Sequence, residues 1–289
     1  MGGMSGITDL HVHIQPWNML KPDVSRALAG SRHHDHQLIE ACQSDPGRLI
    51  AHLDSEGIQR VALINYSSPD VMGFTDKVNE WVLDYCKSYR DRLLPVGSVH
   101  PRFSSHPGDE ARRLMDAGMC MLKVHPSHQL IHANAYRDGG EWPGLAEIYG
   151  VAQEAGVPVM IHTGTSNFPG ARNKYGNPME VDDVAVDFPE LDLILAHGGR
   201  PLWMDEAFFL LRRHPRIWLD VSGIPPRRLL DYFPRLESIT HKVLWGTDWP
   251  APGVPGLAAN VAAFRELGLS EETQEAILKK NAARLLGSR

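Results

Sequence analysis

The chain has 289 residues, of which 43% are hydrophobic and 22% charged, and its formal net charge is −6 at pH 7. This composition is typical of a soluble globular protein, and the acidic balance argues against nucleic acid as a partner, because phosphate binding needs clustered Lys and Arg. No apolar run approaches the roughly 20 residues that cross a bilayer. The amino-terminal segment lacks the basic and apolar regions of a signal peptide. We therefore expect a cytoplasmic protein without membrane association.

Cysteine and histidine are used very differently along the chain. The three cysteines are far apart and form no CxxC pair, so neither a disulfide framework nor a thiolate zinc site is expected. The fifteen histidines are many for this length. Because histidine is the commonest metal ligand and the usual proton carrier at neutral pH, the positions of the histidines indicate where the chemistry lies.

Eight short apolar segments alternate with amphipathic stretches. The predicted strands are Ile7–His13, Arg60–Tyr66, Leu93–Val99, Met119–His125, Pro158–His162, Asp192–His197, Ile217–Val221 and Lys242–Thr247. Nearly continuous apolar runs are typical of strands that are covered on both faces. No GxGxxG follows the first strand to favour an open doubly wound sheet. The pattern predicts an α/β chain folded as one (β/α)8 TIM barrel over residues 1–289. A last helix is expected over Glu271–Leu286, begun by Ser270.

Two connections are longer than a minimal barrel needs, and we expect extended loops after the first and fifth strands. The first connection runs from Ile14 to Gln59, and we interpret it as a loop and a helix that form a lid over the site. The second is Thr163–Pro178. The first connection contains a cluster formed by His33, His34, Asp35 and His36. We interpret this cluster as solvated rather than as a second metal site, because no strand sets its geometry.

Metal-binding side chains lie at the carboxyl ends of the predicted strands. His11 and His13 end the first strand and project to the same side, because side chains alternate along a strand. His162 ends the fifth strand, His197 ends the sixth, and Asp248 follows the eighth. The carboxyl ends of barrel strands face one opening, where such enzymes carry out their chemistry. Imidazoles and a carboxylate suit Zn²⁺ with an open position for water.

The strings LHVH, IHTG, LAHGG and GTDWP, in this order at successive strand ends, resemble the amidohydrolase superfamily and its amidohydrolase-related branch. That branch includes aminocarboxymuconate-semialdehyde decarboxylase, resorcylate-type decarboxylases, sugar-acid lactonases and C–C bond hydrolases. The resemblance implies a divalent metal, with Zn²⁺ ahead of Mn²⁺ or iron. It implies His11, His13, His162 and Asp248 as metal ligands. It also implies His197 as the proton-transfer residue, with Asp248 as a second candidate for that role.

The fourth predicted strand ends in Lys123 and His125. In binuclear members of the superfamily, a carboxylated lysine at this position bridges two metal ions. The alternative is a plain inward lysine that binds a substrate carboxylate or oxyanion. His125 lies on the same face and is a candidate for either role or for a structural one. Whether the site holds one metal ion or two therefore stays open.

The loops offer residues for the walls of a substrate pocket. Arg172 and Arg200 suit recognition of a carboxylate or phosphate by paired donors, with inter-loop salt bridges as the alternative. Trp17 and Trp249 suit flanking of a planar substrate, with sealing of the barrel mouth as the alternative. We expect all four to contact a small-molecule substrate.

The resemblance implies hydrolysis of a small organic substrate of the carboxylate, lactone or acyl type by metal-activated water. The runner-up on the same ligands is non-oxidative decarboxylation. Hydrolysis comes first because the chain is shorter than such decarboxylases usually are and because GTDWP resembles lactonase-type members. Further alternatives are a C–C bond hydrolase of a β-keto acyl substrate and a barrel that binds a ligand without turnover. The identity of the substrate and assembly into a homo-oligomer stay open.

Overall fold

The computed structural model describes residues 6–29 and 35–287. Eight parallel strands form one sheet in chain order. They are β1 (Ile7–Val12), β2 (Ile58–Ile64), β3 (Leu93–Gly97), β4 (Met121–Val124), β5 (Val159–His162), β6 (Leu193–Ala196), β7 (Ile217–Asp220) and β8 (Val243–Leu244). The chain after β8 returns to β1, where Leu10 N donates to the carbonyl oxygen of Trp245 at 2.9 Å. The predicted barrel is confirmed.

Helices follow the strands and cover the outside of the sheet. They are α1 (Pro22–Ala29), α2 (His36–Ser44), α3 (Pro46–Ser55), α4 (Lys77–Cys86), α5 (Pro107–Asp116), α6 (Pro126–Gln129), α7 (Gly144–Ala155), α8 (Glu180–Asp187), α9 (Met204–Arg213), α10 (Leu229–Tyr232), α11 (Leu257–Arg265), α12 (Glu271–Glu275) and α13 (Asn281–Leu286). Within the two described ranges, no helix is both long and apolar enough to traverse a bilayer.

Strand β2 shows why the sequence pattern is continuous and not alternating. Val61 and Leu63 pack in the cluster that joins the sheet to the helices, whereas Ala62 and Ile64 pack in the cluster that fills the barrel. Both faces of the strand are therefore buried, and both faces need apolar side chains.

The first long connection contains more regular structure than the loop and single helix that the sequence suggested. Helices α1, α2 and α3 all lie within it. Asp35 begins α2, and its carboxylate accepts a hydrogen bond from Leu38 N at 3.0 Å, so this member of the histidine-rich cluster is a helix cap. His33 and His34 lie outside the described residues.

The eighth strand is shorter than predicted. Hydrogen bonding of the strand type ends at Leu244, whereas the sequence suggested a strand to Thr247. The difference arises because a side chain replaces the backbone as partner there: Thr247 N donates to Asp9 Oδ1 at 3.1 Å.

The carboxyl-terminal helix is interrupted. Ser270 begins it as predicted, with its hydroxyl accepting from Thr273 N at 3.2 Å. A π-helical segment, Ala276–Lys280, then separates α12 from α13. Directly after it, the Asn281 amide donates to the carbonyl oxygens of Thr240 and Val243, each at 2.7 Å. These tertiary bonds, which local sequence does not reveal, hold the second half of the helix against β8.

Candidate active site

Two histidines from the start of the chain and an aspartate from near its end meet at the carboxyl end of the barrel. His11 Nε2 lies 3.1 Å from His13 Nε2, which confirms that the two imidazoles of β1 converge. Asp248 Oδ1 lies 3.1 Å from His13 Nε2 and 3.5 Å from His11 Nε2. Closure of the barrel produces this meeting, because Asp248 N donates to the carbonyl oxygen of His11 at 2.8 Å.

Asp220, the last residue of β7, and Ser222 just beyond it hold the imidazoles from behind. Asp220 Oδ2 lies 2.5 Å from His11 Nδ1, and both side chains are fully buried. Ser222 Oγ donates to Asp220 Oδ2 at 2.7 Å and lies 3.0 Å from the Nδ1 atoms of His11 and His197. A carboxylate at Nδ1 keeps the proton on that nitrogen, so the Nε2 lone pair of His11 faces the site.

His197 joins the same centre. Its Nδ1 lies 2.8 Å from the carbonyl oxygen of Ser222, which can only accept, so Nδ1 carries the proton and Nε2 is free. One ligand atom from each of His11, His197 and Asp248 lies within 4.8 Å of the others. His197 is therefore placed as closely as a metal ligand would be, and the proton-transfer role stays a prediction. His197 and Asp248 both have positive φ, 66° and 71°, which is uncommon outside glycine and concentrates at functional sites.

His162 and the residues that end β4 form the adjoining wall. The rings of His162 and His125 stack with centroids 3.9 Å apart, and the centroids of His162 and His197 are 4.8 Å apart. Neither ring nitrogen of His162 has a hydrogen-bond partner among the described residues, and neither has Lys123 Nζ. Buried polar atoms without partners are costly, so these groups are placed to meet something other than this chain.

Burial sets the protonation of the site. Desolvation lowers the pKa of His11, His162 and His197 well below the ordinary value, so all three imidazoles are neutral at neutral pH. Desolvation also lowers the pKa of Lys123 to about 8. Burial is the largest single effect on Asp248 and raises its pKa, but the hydrogen bond with His13 and the electrostatic interactions with its neighbours, Arg200 among them, together outweigh burial, and the net shift is downward. Asp248 is an ionised carboxylate beside neutral imidazoles.

This set of donors fits a divalent metal ion. Such an ion needs neutral imidazole nitrogens and ionised carboxylate oxygens converging on one point, with the rings held from behind by hydrogen bonds to carboxylates or carbonyls. His11, His197 and Asp248 meet the first condition, His13 Nε2 converges on the same point, and Asp220 with the Ser222 carbonyl meets the second. His162 lies at the edge of the group and offers two ring nitrogens that have no hydrogen-bond partner within residues 6–29 and 35–287.

A cavity of about 380 Å³ opens onto these residues. Of the residues that the sequence suggested for substrate binding, Trp17 and Arg200 line the cavity, as does His125. Arg200 Nη2 lies 3.8 Å from Asp248 Oδ2, and its Nε is buried without a partner among the described residues. Arg172 is exposed and Trp249 is buried with its ring 5.2 Å from that of His52, and neither lines the cavity.

Sequence reasoning missed three residues that hold the site together. Asp220 and Ser222 follow the rule that revealed the histidines, because Asp220 ends β7 and Ser222 directly follows the seventh predicted strand. Space there is tight, since a Cβ on Gly246 would lie 2.5 Å from Asp220 Oδ1. Asp9 is buried, accepts from Thr247 Oγ1 at 2.7 Å, and burial raises its pKa to about 7. Its place two residues before His11 was the available signal.

Comparison with known proteins shows the family and the fold of this chain. A family model described as Amidohydrolase matches residues 9–288. A 2-pyrone-4,6-dicarboxylate hydrolase of Comamonas testosteroni is 24% identical, over 76% of this chain and 78% of that protein. An uncharacterised TIM-barrel protein from Bordetella bronchiseptica has a TM-score of 0.75 at 23% identity, covering 97% of this chain and 98% of the other. A 5-carboxyvanillate decarboxylase from Novosphingobium aromaticivorans, complexed with manganese, has a TM-score of 0.67 at 17% identity, covering 99% and 97%.

Proposed function

Since this chain belongs to the amidohydrolase family and is an enzyme of that superfamily, we propose that it is a metal-dependent hydrolase. Its proposed substrate is a small organic carboxylate, and a lactone is favoured. The observation that carries the proposal is the position of Asp248. One of its oxygens lies 3.1 Å from His13 Nε2, the other faces Arg200 at 3.8 Å, and the residue lines the cavity.

The residues have distinct roles in this proposal. His11, His13 and Asp248 would hold the metal, with His162 and His197 as the further imidazoles at the same point. When bound, a divalent ion supplies Lewis-acid polarisation of a carbonyl and promotes ionisation of water. Zn²⁺ suits this set of nitrogen and oxygen ligands, and Mn²⁺ or iron are the alternatives. Lys123, whose Nζ has no hydrogen-bond partner in the part of the chain that the structure describes, would bind a substrate oxyanion or, if carboxylated, bridge two ions.

Asp248 supports hydrolysis in preference to decarboxylation. Its lowered pKa leaves it ionised, so it can accept a proton from attacking water and return that proton to the leaving oxygen. Decarboxylation needs instead an acid that protonates carbon. Arg200 has a buried Nε without a partner in the described part of the chain, and it would bind the substrate carboxylate.

The relative from Comamonas testosteroni supports a lactone as substrate, because its name describes hydrolysis of a 2-pyrone, which is a cyclic ester. Decarboxylation of an aromatic acid is the second candidate. The specific support for it is the likeness to 5-carboxyvanillate decarboxylase, which at 17% identity concerns the fold.

The test is a direct assay of both reactions on protein loaded with Zn²⁺ or Mn²⁺. We expect acid release from carboxylated 2-pyrones and aliphatic lactones, measured by titration at constant pH. Asp248→Asn should lower kcat by about 100-fold or more, because general acid–base catalysis typically contributes that much. Asp205→Asn, at an exposed position in α9, is the matched control and should keep the wild-type rate.

Carbon dioxide release from 2,6-dihydroxybenzoate or 5-carboxyvanillate, without acid release from any lactone, would contradict hydrolysis and establish the second candidate. Full activity in protein freed of metal would contradict the role of the ion.

A further inference from the structure

The cavity has a polar wall that begins at His162 of the metal centre and extends away from it. Three imidazoles form a stacked column, in which His125 lies 3.9 Å from His162 on one side and 3.7 Å from His128 on the other, measured between ring centroids. At the outer end of this column, His128 Nδ1 lies 2.9 Å from the Tyr66 hydroxyl and His128 Nε2 lies 2.7 Å from Ser166 Oγ. Tyr66, His128 and Ser166 all line the cavity, and we call them the Tyr–His–Ser relay.

The hydrogen bonds of this relay all have the same direction, from Tyr66 through His128 to Ser166. Tyr66 is buried, and burial raises the pKa of its phenol, so the hydroxyl keeps its proton and must donate it. His128 Nδ1 is its hydrogen-bond partner among the described residues, so this nitrogen is the acceptor. His128 is buried, and because its Nδ1 accepts, the single proton of the neutral imidazole lies on Nε2. His128 Nε2 therefore donates to Ser166 Oγ.

Ser166 Oγ consequently receives two hydrogen bonds. His128 Nε2 donates at 2.7 Å and Phe168 N donates at 3.3 Å. A hydroxyl oxygen has two acceptor positions and one proton. Both acceptor positions of Ser166 are therefore occupied, and its O–H group can still donate one hydrogen bond. Since Ser166 lines the cavity, this O–H group is presented to whatever enters.

The relay is held rigidly from both sides. Ser68 Oγ donates to the carbonyl oxygen of His128 at 2.9 Å, and Gln129 Oε1 accepts from His125 N at 2.8 Å. On the opposite loop, Ser166 N donates to Asn173 Oδ1 at 2.8 Å. Such supporting bonds fix the direction of a donor before a ligand arrives, which is typical of a built binding site.

We propose that the Tyr–His–Ser relay is a second carboxylate subsite, in which the Ser166 hydroxyl donates to a carboxylate that is separate from the one bound by Arg200. Ser166 is the specificity-determining contact, and Tyr66 and His128 are positioning residues. The inference rests on the proposed function, because the ligand of this subsite is taken to be the substrate of the proposed hydrolase. It narrows the substrate class to small cyclic dicarboxylates.

The surroundings favour a planar ring between the two carboxylates. Phe168 stands edge-on to His128 with ring centroids 5.5 Å apart, and Trp17 lines the same cavity. Aromatic and imidazole faces contact a flat ring well, while the polar ends of the ring are left to hydrogen-bonding groups.

Binding of stable probe acids tests the subsite without requiring turnover. The probes are benzoate, benzene-1,3-dicarboxylate and benzene-1,4-dicarboxylate, with Kd measured by titration calorimetry on the full chain. We expect one of the dicarboxylates to bind the wild type about 10-fold more tightly than benzoate, since a hydrogen bond to a charged group has roughly that effect. Ser166→Ala should abolish the difference and leave the Kd of benzoate unchanged.

Two further variants separate positioning from folding. Ser166→Thr keeps the hydroxyl and should retain the preference, whereas Tyr66→Phe should weaken it while leaving the thermal unfolding midpoint within a few degrees. Thr165→Val, which deletes a hydroxyl from the same loop, is the matched control. With an active substrate, Ser166→Ala should raise KM and leave kcat in place.

Equal affinity of the wild type for all three acids, or an unchanged preference in Ser166→Ala, overturns the subsite. These results are distinguishable from failure of the proposed function. If the protein prefers a dicarboxylate through Ser166 but hydrolyses no lactone, the subsite stands and the proposed hydrolase activity is wrong. If it hydrolyses lactones without a preference that depends on Ser166, only the subsite is wrong.

Discussion

At the scale of single residues, Asp220 determines what His11 can do. The 2.5 Å contact between Asp220 Oδ2 and His11 Nδ1 is fully buried, so it is neither screened by solvent nor exchanged for water. Burial raises the pKa of Asp220 to about 6, and the carboxylate is therefore mostly ionised at neutral pH. An ionised acceptor at Nδ1 makes Nε2 the free, more basic nitrogen that a metal requires.

Asp220→Asn should reduce affinity for Zn²⁺ by about 10–100-fold, because an amide cannot hold the imidazole in one tautomer as a carboxylate does. The measurement is competition with a chelator of known affinity. Asp231→Asn, at an exposed carboxylate that pairs with Arg228 at 2.9 Å, is the matched control and should bind metal as the wild type does. Equal affinity in the two variants would remove Asp220 from its supporting role.

Sequence reasoning reached some of these residues and not others for a simple reason. His11 and His13 lie at the end of the first strand, where the period of a strand sets their direction, and Asp248 is identified because it follows the eighth predicted strand. Asp220 lies in an equivalent place and was open to the same rule. His128 lies in the short helix α6 and Ser166 in the loop after β5, and their hydrogen bond joins residues 38 positions apart. No local period predicts such a contact.

At the scale of elements, the carboxyl-terminal helix has one feature that the local sequence predicts, its start, and one that depends on tertiary contacts, its interruption. Ser270 at its start is a strong local signal, because its hydroxyl satisfies a backbone N–H that the helix leaves without a partner. The π-helical segment further along has no such signal. It precedes Asn281, whose partners are the carbonyl oxygens beside β8.

Ser270→Ala should lower the free energy of unfolding by about 1 kcal/mol through loss of the helix cap. The measurement is the urea midpoint, taken together with the slope of the transition. Ser25→Ala, at an exposed position inside α1, removes a hydroxyl without removing a cap and should be neutral or slightly stabilising. A Ser270→Ala midpoint equal to that of wild type would show that the cap contributes nothing to stability.

At the scale of the whole molecule, ligation of one metal ion should couple the two ends of the barrel wall. His11 belongs to β1, whereas Asp248 follows β8, and the backbone bonds that bring them together also close the sheet. An ion held by both should therefore oppose opening of the barrel at this seam, since binding to the native state alone stabilises it.

Adding Zn²⁺ to metal-free protein should raise the thermal unfolding midpoint by roughly 5 °C or more at 100 times the Kd. His11→Ala should abolish this increase, as measured by differential scanning calorimetry. His106→Ala, at an exposed histidine before α5, should keep it. An identical increase in His11→Ala would place the ion elsewhere.

The sequence by itself determined the barrel, the order of its strands and the converging histidines with Asp248, because strand periodicity and the parallel arrangement act locally and repeat along the chain. Tertiary structure alone decided which nitrogen of each imidazole faces the cavity. It also decided that Arg200 lies beside Asp248, while Arg172 and Trp249 lie outside the cavity lining. Finally, it brought Tyr66, His128 and Ser166 together into one relay. The physical reason is that tautomers and donor directions are set by partners from other strands and loops, which become neighbours only when the sheet closes.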